Sequence, residues 1–337
     1  MLIVPRRHQK EPDKFGLQGV NFYRCQPGQG KVAELILQKR CPAGIPIFTI
    51  PLHCDGLILI PCLMGRIFVC NPATREFVEL PPGNSNVSGV HRVAFGFDPR
   101  SGKYKVARYF DRSYSEASPA DGEGTVLQCC LGHEILTIDD GEDAWKWKAT
   151  MDPPYAINAR TPIYLPGFFY WSALHSVTGN GPSKVSSDVI LRFSLHDETF
   201  TVHPNPPCRG FLSSNDMLCE LGGKLCYVHS SSPWDVAIWL AEDGPNLAWS
   251  QRCCVKLPIT RLVHVHACAL TDRDKIFLSI DAWYLLKCDM RNRSLEIGEM
   301  ARDMLYDHGN GTKFCTGKLP AAHYMVPSVE SLLRIRP

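Results

Sequence analysis

Ile67-Phe-Val-Cys-Asn-Pro-Ala-Thr-Arg-Glu-Phe77 and Ile190-Leu-Arg-Phe-Ser-Leu-His-Asp-Glu-Thr-Phe200 can be laid on one another without a gap, and Leu285-Leu-Lys-Cys-Asp-Met-Arg-Asn-Arg-Ser-Leu295 fits the same frame. In each, an apolar strand runs into a polar turn and an apolar residue restarts a second strand. That is the pattern of a β-hairpin. The first two copies then reach Pro81-Pro82 and Pro206-Pro207, which cannot continue a central strand.

Two further units recur around these hairpins. Glu134-Ile-Leu-Thr-Ile138 with Asp139-Asp140-Gly141 and Trp145 matches Val236-Ala-Ile-Trp-Leu240 with Glu242-Asp243-Gly244 and Trp249, apart from one inserted residue. Glycine precedes an apolar strand at Asp55-Gly56-Leu-Ile-Leu-Ile60, Pro166-Gly167-Phe-Phe-Tyr-Trp171 and Gly222-Gly223-Lys-Leu-Cys-Tyr-Val228. Helical periodicity is scarce, and 26 prolines with 26 glycines punctuate the 337 residues too often for long helices, so the fold class is all-β.

The glycine units are spaced at roughly 50 residues or twice that, the kelch-type period of a four-stranded β-propeller blade. On that ruler blades begin near Cys54, Arg92, Leu165, Leu218 and Ala267. Val20 to Arg24 and Val32 to Leu37 are expected to join the C-terminal strand Ala322 to Val326 in a further blade. About six blades result, closed by pairing of N- and C-terminal strands, which hides the sheet edges. Asp111 to Gly124, Ser176 to Ser187, Ser230 to Asp235 and Asp307 to Gly311 read as loops, where partners dock on such a body.

Composition narrows the function classes. Hydrophobic residues at 45% and charged residues at 21% suit a folded core with a polar surface, which removes disorder as the default. A formal net charge of +2 supplies no field that would draw the chain onto nucleic acid or an anionic membrane. The first ten residues lack the apolar region of a signal peptide, and Leu57 to Met64, the longest apolar run, is far short of a membrane helix. The expectation is a soluble cytoplasmic or nuclear chain. Its fifteen cysteines, odd in number and irregular in spacing, read as reduced thiols.

Several groupings carry possible chemistry. His264-Val-His266-Ala-Cys268 would place three potential metal ligands on one strand face, with Cys253 or Cys254 as a fourth; paired strand histidines beside a buried thiol explain it as well. Asp139-Asp140 and Glu242-Asp243 look like paired carboxylates, yet each precedes a glycine in a recurring turn. Arg100, Lys103, Lys105, Arg108 and Arg112, interleaved with Tyr104, Tyr109 and Phe110, would suit a nucleic-acid backbone. Strand alternation, which gives Lys103 and Lys105 one solvated face and Tyr104 and Val106 the other, accounts for them more simply. Trp145, Trp147, Trp171, Trp239 and Trp249 lie inside the repeating strands and read as packing between blades. No nucleophile elbow, zinc-protease motif or phosphate-binding loop occurs, so no catalytic residue, metal ligand or cofactor is assigned.

Taken together the units resemble the F-box-associated domains of plant F-box proteins. The residues that carry the likeness are Cys54-Asp-Gly-Leu-Ile-Leu-Ile60, Asn71-Pro-Ala-Thr-Arg75 with Leu80-Pro81-Pro82, and Phe95-Gly-Phe-Asp-Pro99 with Lys103-Tyr-Lys-Val106. Glu134-Ile-Leu-Thr137 with Trp145-Lys-Trp147, Pro166-Gly-Phe-Phe-Tyr-Trp171 and Ile190-Leu-Arg-Phe-Ser-Leu195 complete it. The resemblance implies a kelch-like propeller over residues 17–329 that selects a protein target, preceded in the family by a helical F-box that docks on the adaptor of a cullin-type ubiquitin ligase. Residues 1–16 are too short for that box and look like the segment that follows it, whether by truncation or by loss; 330–337 form a tail. The expected partner is a target protein of unassigned identity, with the adaptor added only where an upstream F-box exists. Two other readings are a decoy that binds without a ligase and, from another class, an enzyme housed in a propeller.

Overall fold

The computed structural model describes residues 2–6, 16–25, 32–46, 52–86, 92–117, 126–138, 145–155, 157, 162–173, 189–208, 216–232, 234–242, 246–257, 265–272, 275–280, 284–293, 295–297, 305–311, 313–315, 324–325 and 331–335. Three N-terminal strands come first: β1 (Leu2–Arg6), β2 (Gly16–Cys25) and β3 (Val32–Pro46). Five antiparallel four-stranded meanders follow in chain order. The first holds β4 (Leu52–Cys54), β5 (Leu57–Pro61), β6 (Ile67–Asn71) and β7 (Glu76–Glu79), and the second β8 (Arg92–Asp98), β9 (Lys103–Ala117), β10 (Val126–Ile138) and β11 (Trp147–Ala149). The third holds β12 (Ile163–Leu165), β13 (Phe168–Ser172), β14 (Val189–Ser194) and β15 (Phe200–Pro204). The fourth holds β16 (Met217–Leu221), β17 (Lys224–Ser230), β18 (Asp235–Glu242) and β19 (Ala248–Lys256). The fifth holds β20 (Val265–Asp272), β21 (Lys275–Ile280), β22 (Tyr284–Asp289) and β23 (Leu295–Ile297). The chain ends with β24 (Leu305–Asp307), β25 (Lys313–Cys315) and β26 (Tyr324–Met325).

Each expected blade start falls within two residues of the first strand of a meander. Five sheets have the four-stranded form, and the remaining strands make a wider six-stranded sheet in the order β25-β24-β3-β2-β1-β26. N- and C-terminal strands do pair there, but with a parallel contact between β24 and β3 that a simple meander lacks. Within residues 1–16, Leu2–Arg6 lies between β2 and β26 in that sheet. Asn71 Nδ2 donates to Ser331 O at 3.0 Å and Leu333 O at 2.7 Å, and Ile335 N donates to Glu76 Oε2 at 3.0 Å, so residues 331–335 are held against the first meander.

The three superposable hairpins are β6–β7, β14–β15 and β22–β23, the third and fourth strands of three different sheets. Their turns share one mechanism. The fifth residue of each copy accepts a main-chain N–H: Asn71 Oδ1 from Ala73 N at 3.0 Å, Ser194 Oγ from Asp197 N at 3.2 Å, and Asp289 Oδ1 from Arg291 N at 2.9 Å. The ninth residue, Arg75, Glu198 or Arg293, takes a left-handed conformation with φ of 61°, 54° and 59°. The side-chain bond fixes the start of the turn, and the left-handed residue re-aims the chain into the returning strand. Asp98 and Gly102, four residues apart in the β8–β9 turn, repeat the arrangement with Asp98 Oδ1 bonded to Arg100 N at 3.1 Å and Gly102 at φ 69°.

Contacts divide the chain into two compact units: Met1–Leu63 with Ile67–Val78 and Pro206–Ile335, and Glu79–Asn205 with Met64–Arg66. In the first unit, Val20, Phe22, Leu37 and Cys41 pack on Ile58, Ile60, Phe68 and Cys70, and a separate cluster joins the fourth meander to Ile276, Leu278, Leu286 and Cys288 of the fifth. In the second, Ala94, Ala107, Tyr109 and Ile135 pack on Phe169, Trp171, Leu191 and Phe193. Leu57–Pro61 is buried at every position, which is why it reads as a continuous apolar run.

Candidate partner-binding surface

The second meander is the least like a plain blade. Its middle strands β9 and β10 pair from Ala117↔Val126 to Tyr104↔Ile138, but β8 reaches only to Tyr109 and β11 only to Glu134. Beyond those points, among the described residues, Asp111–Ala117 and Val126–Gly132 pair only with each other and form a two-stranded ribbon. The sequence suggested a loop over Asp111 to Gly124; the strand extends to Ala117 because Val126 to Leu131, a β-prone run, offers it a partner. Residues 118–125 lie outside the described residues.

Arg112 anchors the ribbon. A register shift between Cys130 and Leu131 leaves it the extra residue of β9. Its exposed side chain donates to Leu131 O at 3.0 Å and forms two bonds to Asp152 at 2.7 and 2.8 Å. The Asp152 carboxylate raises the Arg112 pKa above its ordinary value. This pair ties the chain that leaves β11 to the base of the ribbon. On that same short segment Met151 is 58% and Tyr155 44% exposed, and Cys130 is exposed beside it.

Beneath the ribbon is a buried charged strap. Arg108 on β9 and Glu134 on β10 pair at 2.6 Å, with both side chains almost fully enclosed. Asn84 closes the network: its N–H and Nδ2 donate to the Glu134 carboxylate and its carbonyl accepts from Arg108. Trp147 lies over the guanidinium at 5.4 Å and donates from Nε1 to Pro81 O at 2.8 Å. Burial lowers the Arg108 pKa and the Glu134 charge opposes that shift. The strap thus fixes the proline-led connection into this sheet.

The basic stretch is divided by the fold. Lys103 is exposed, but Lys105 is buried and donates to Leu195 O at 2.5 Å beside Asp98 and Glu198, at 3.5 and 3.6 Å. The shared solvated face expected for the two lysines is therefore not formed: with Lys105 and Arg108 engaged inside, no continuous basic track is left. Sequence alternation alone could not see this, because the next sheet covers the face that a lone strand would expose. Trp145 and Trp171 are buried as packing residues, and Trp239 and Trp249 are partly buried. Residues 139, 140, 243 and 264, and the side chains of His266 and Cys268, lie outside the described residues. Among those described, no group of three acidic, histidine or cysteine side chains is placed to hold a metal ion.

Sequence reasoning missed one constellation with enzyme-like parts. Buried Asp216 accepts from Tyr227 Oη at 3.0 Å and Ser230 N at 3.1 Å and contacts His229 Nδ1 at 2.9 Å. An aspartate–histidine pair is two of the three members of a hydrolytic triad. The thiol influenced by Asp216, Cys208, is pushed up to about 12, first by burial and then by the Asp216 charge. That is the reverse of an activated nucleophile. Asp216 here satisfies the donors of β17.

Comparison with known proteins agrees with the strand pattern. The F-box associated beta propeller domain matches residues 18–300. An Arabidopsis thaliana F-box/LRR-repeat/kelch-repeat protein is 27% identical over 61% of this chain and 51% of its own length, and an F-box protein of the same plant is 25% identical over 69% and 57%. A putative Arabidopsis thaliana F-box protein is 27% identical over 72% of this chain and 56% of its own. The chain spans about half the length of the curated relatives it matches. Among solved structures, an oligogalacturonate lyase in complex with manganese aligns with a TM-score of 0.43 at 13% identity, over 73% of this chain and 62% of that one, which carries no argument about function. The order of the repeats, the five four-stranded blades and the match over residues 18–300 together make this chain a member of the F-box-associated β-propeller domain family.

Proposed function

We infer that the chain is a protein-binding module, the target-recognition part of an F-box protein in a cullin-type ubiquitin ligase. The observation that carries this reading is the two-stranded β9–β10 ribbon, tied by Arg112 to Asp152 on the segment that exposes Met151 and Tyr155, on a scaffold shared with F-box proteins. The ionisable groups most displaced from their ordinary pKa support binding over catalysis: His133, Tyr109, Cys226 and Cys253 are buried within packed sheets. A six-bladed, kelch-like ring, in which the six-stranded sheet stands as the sixth blade, belongs to the same proposal. So does a cytoplasmic or nuclear location.

The test is affinity purification of this chain with and without an F-box grafted before Met1. The same target proteins should accompany both forms, and the adaptor and cullin only the grafted one. Tight adaptor binding by the ungrafted chain, or no specific protein on either, would overturn the reading. A decoy role is favoured instead if the native gene product binds targets and never the adaptor.

A further inference from the structure

We propose that the outer edge of β10 at Val126–Cys130 takes up an extended segment of the target protein as an added antiparallel strand; this rests on the target-recognition reading and names the contact. Three features point to it. The backbone next to β11 is used in order: His133 O accepts from Thr150 N at 3.0 Å and Leu131 O accepts from Arg112. Outward main-chain groups alternate along a strand, so the next in line are those of Cys129 and Leu127. Among the described residues no strand pairs with them.

The edge is also undefended. Sheet edges are commonly blocked by charge or proline, yet Val126-Leu-Gln-Cys-Cys130 has no acidic or basic residue and no proline. The segment that follows β11 is held by the Arg112–Asp152 pair, and on it the apolar side chains of Met151 and Tyr155 are exposed. The added strand would continue the line of β11, and its uncharged alternate residues would meet Met151 and Tyr155.

A second copy of this chain is the poorer occupant. Five residues of edge with two apolar side chains bury far less than the roughly 800 Å² per partner that a stable dimer needs. The same extent is ordinary for strand addition of a peptide, where main-chain bonds supply affinity.

The test selects a displayed library of random linear peptides on the whole chain and maps amide hydrogen exchange in the resulting complexes. The expected peptides slow exchange at the Leu127 and Cys129 amides. Leu127→Pro removes an outward N–H that the β9–β10 ladder does not use, and should weaken those peptides about tenfold. Arg75→Gly, in the exposed β6–β7 turn, should leave binding unchanged. Exchange in the unsubstituted chain decides the matter if Leu127→Pro fails to fold. No enriched peptide, protection elsewhere, or self-association abolished by Leu127→Pro would overturn the proposal. Target proteins that co-purify equally with the chain and with folded Leu127→Pro would overturn it while leaving target recognition intact; no target on either would remove the recognition reading itself.

Discussion

Arg108 and Glu134 face each other across β9 and β10 at 2.6 Å, and the two almost fully enclosed charges are balanced by one another and hydrogen-bonded by Asn84. Removing one member leaves the other charged and buried. Glu134→Ala should cost about 3–5 kcal/mol in urea unfolding, and the double change Arg108→Met with Glu134→Leu should recover most of it. A double variant as unstable as the single would show that the pair's value lies in its bonds to Asn84 instead.

Gly83 passes directly over that pair. A Cβ there would lie 2.2 Å from Glu134 Oε1 and 2.7 Å from Arg108 Cζ. Gly83→Ala should therefore destabilise by about 1–3 kcal/mol, the range of an overpacked site. In the Arg108→Met, Glu134→Leu background the same change should cost a different amount, which a thermodynamic cycle reads directly.

Arg75 holds φ at 61° in the β6–β7 turn and is exposed. Arg75→Val puts a branched side chain in the left-handed region and should lose about 1–2 kcal/mol. Arg75→Gly should be neutral or gain up to about 1 kcal/mol, as relief of the backbone offsets the greater freedom of the unfolded chain. Equal effects of valine and glycine in thermal melts would mean the turn is not held in this conformation.

His133 stands among Tyr109, Trp171, Phe193 and Phe200, with Nδ1 bonded to Thr150 Oγ1. Burial lowers its pKa from 6.5 to about 3. Above pH 6.5 the ring is neutral folded or unfolded and contributes no pH dependence. Between 6.5 and about 3 the unfolded chain takes a proton that the folded chain refuses, so stability falls as pH drops through that window. The loss from this residue at pH 5 should be about 2 kcal/mol relative to pH 7. His133→Phe should flatten the acid side of the stability curve by that amount; an unchanged slope would place the proton uptake elsewhere.

Much of this architecture is legible in the sequence because equivalent units meet equivalent demands. The frame shared by Ile67–Phe77 and Ile190–Phe200 marks the third and fourth strands of a sheet, and Gly56, Gly167 and Gly223, with φ of 83°, 84° and 78°, mark turns between the first and second. Lys105 and the ribbon were not legible. A lysine at an alternating position is solvated on a lone strand and buried when the next sheet supplies Glu198 and the Leu195 carbonyl. Asp111-Arg-Ser-Tyr-Ser-Glu-Ala117 reads as a loop by composition and becomes a strand through its partner β10. The joining of N- and C-terminal strands in one sheet was legible, but its width of six strands and the parallel β24–β3 contact were not, because β24 and β25 are short and carry no repeat frame.

The central proposal is that this chain recognises the target and that coupling to the ligase requires an F-box. The most direct measurement is ubiquitin transfer to a purified target in a reconstituted cullin ligase, using the chain with an F-box grafted before Met1 and adding the ungrafted chain as competitor. The account predicts that the ungrafted chain conjugates nothing and that, in excess, it suppresses transfer by the grafted form through occupation of the same site on the target. Conjugation supported by the ungrafted chain, or transfer unaffected by its excess, would contradict it.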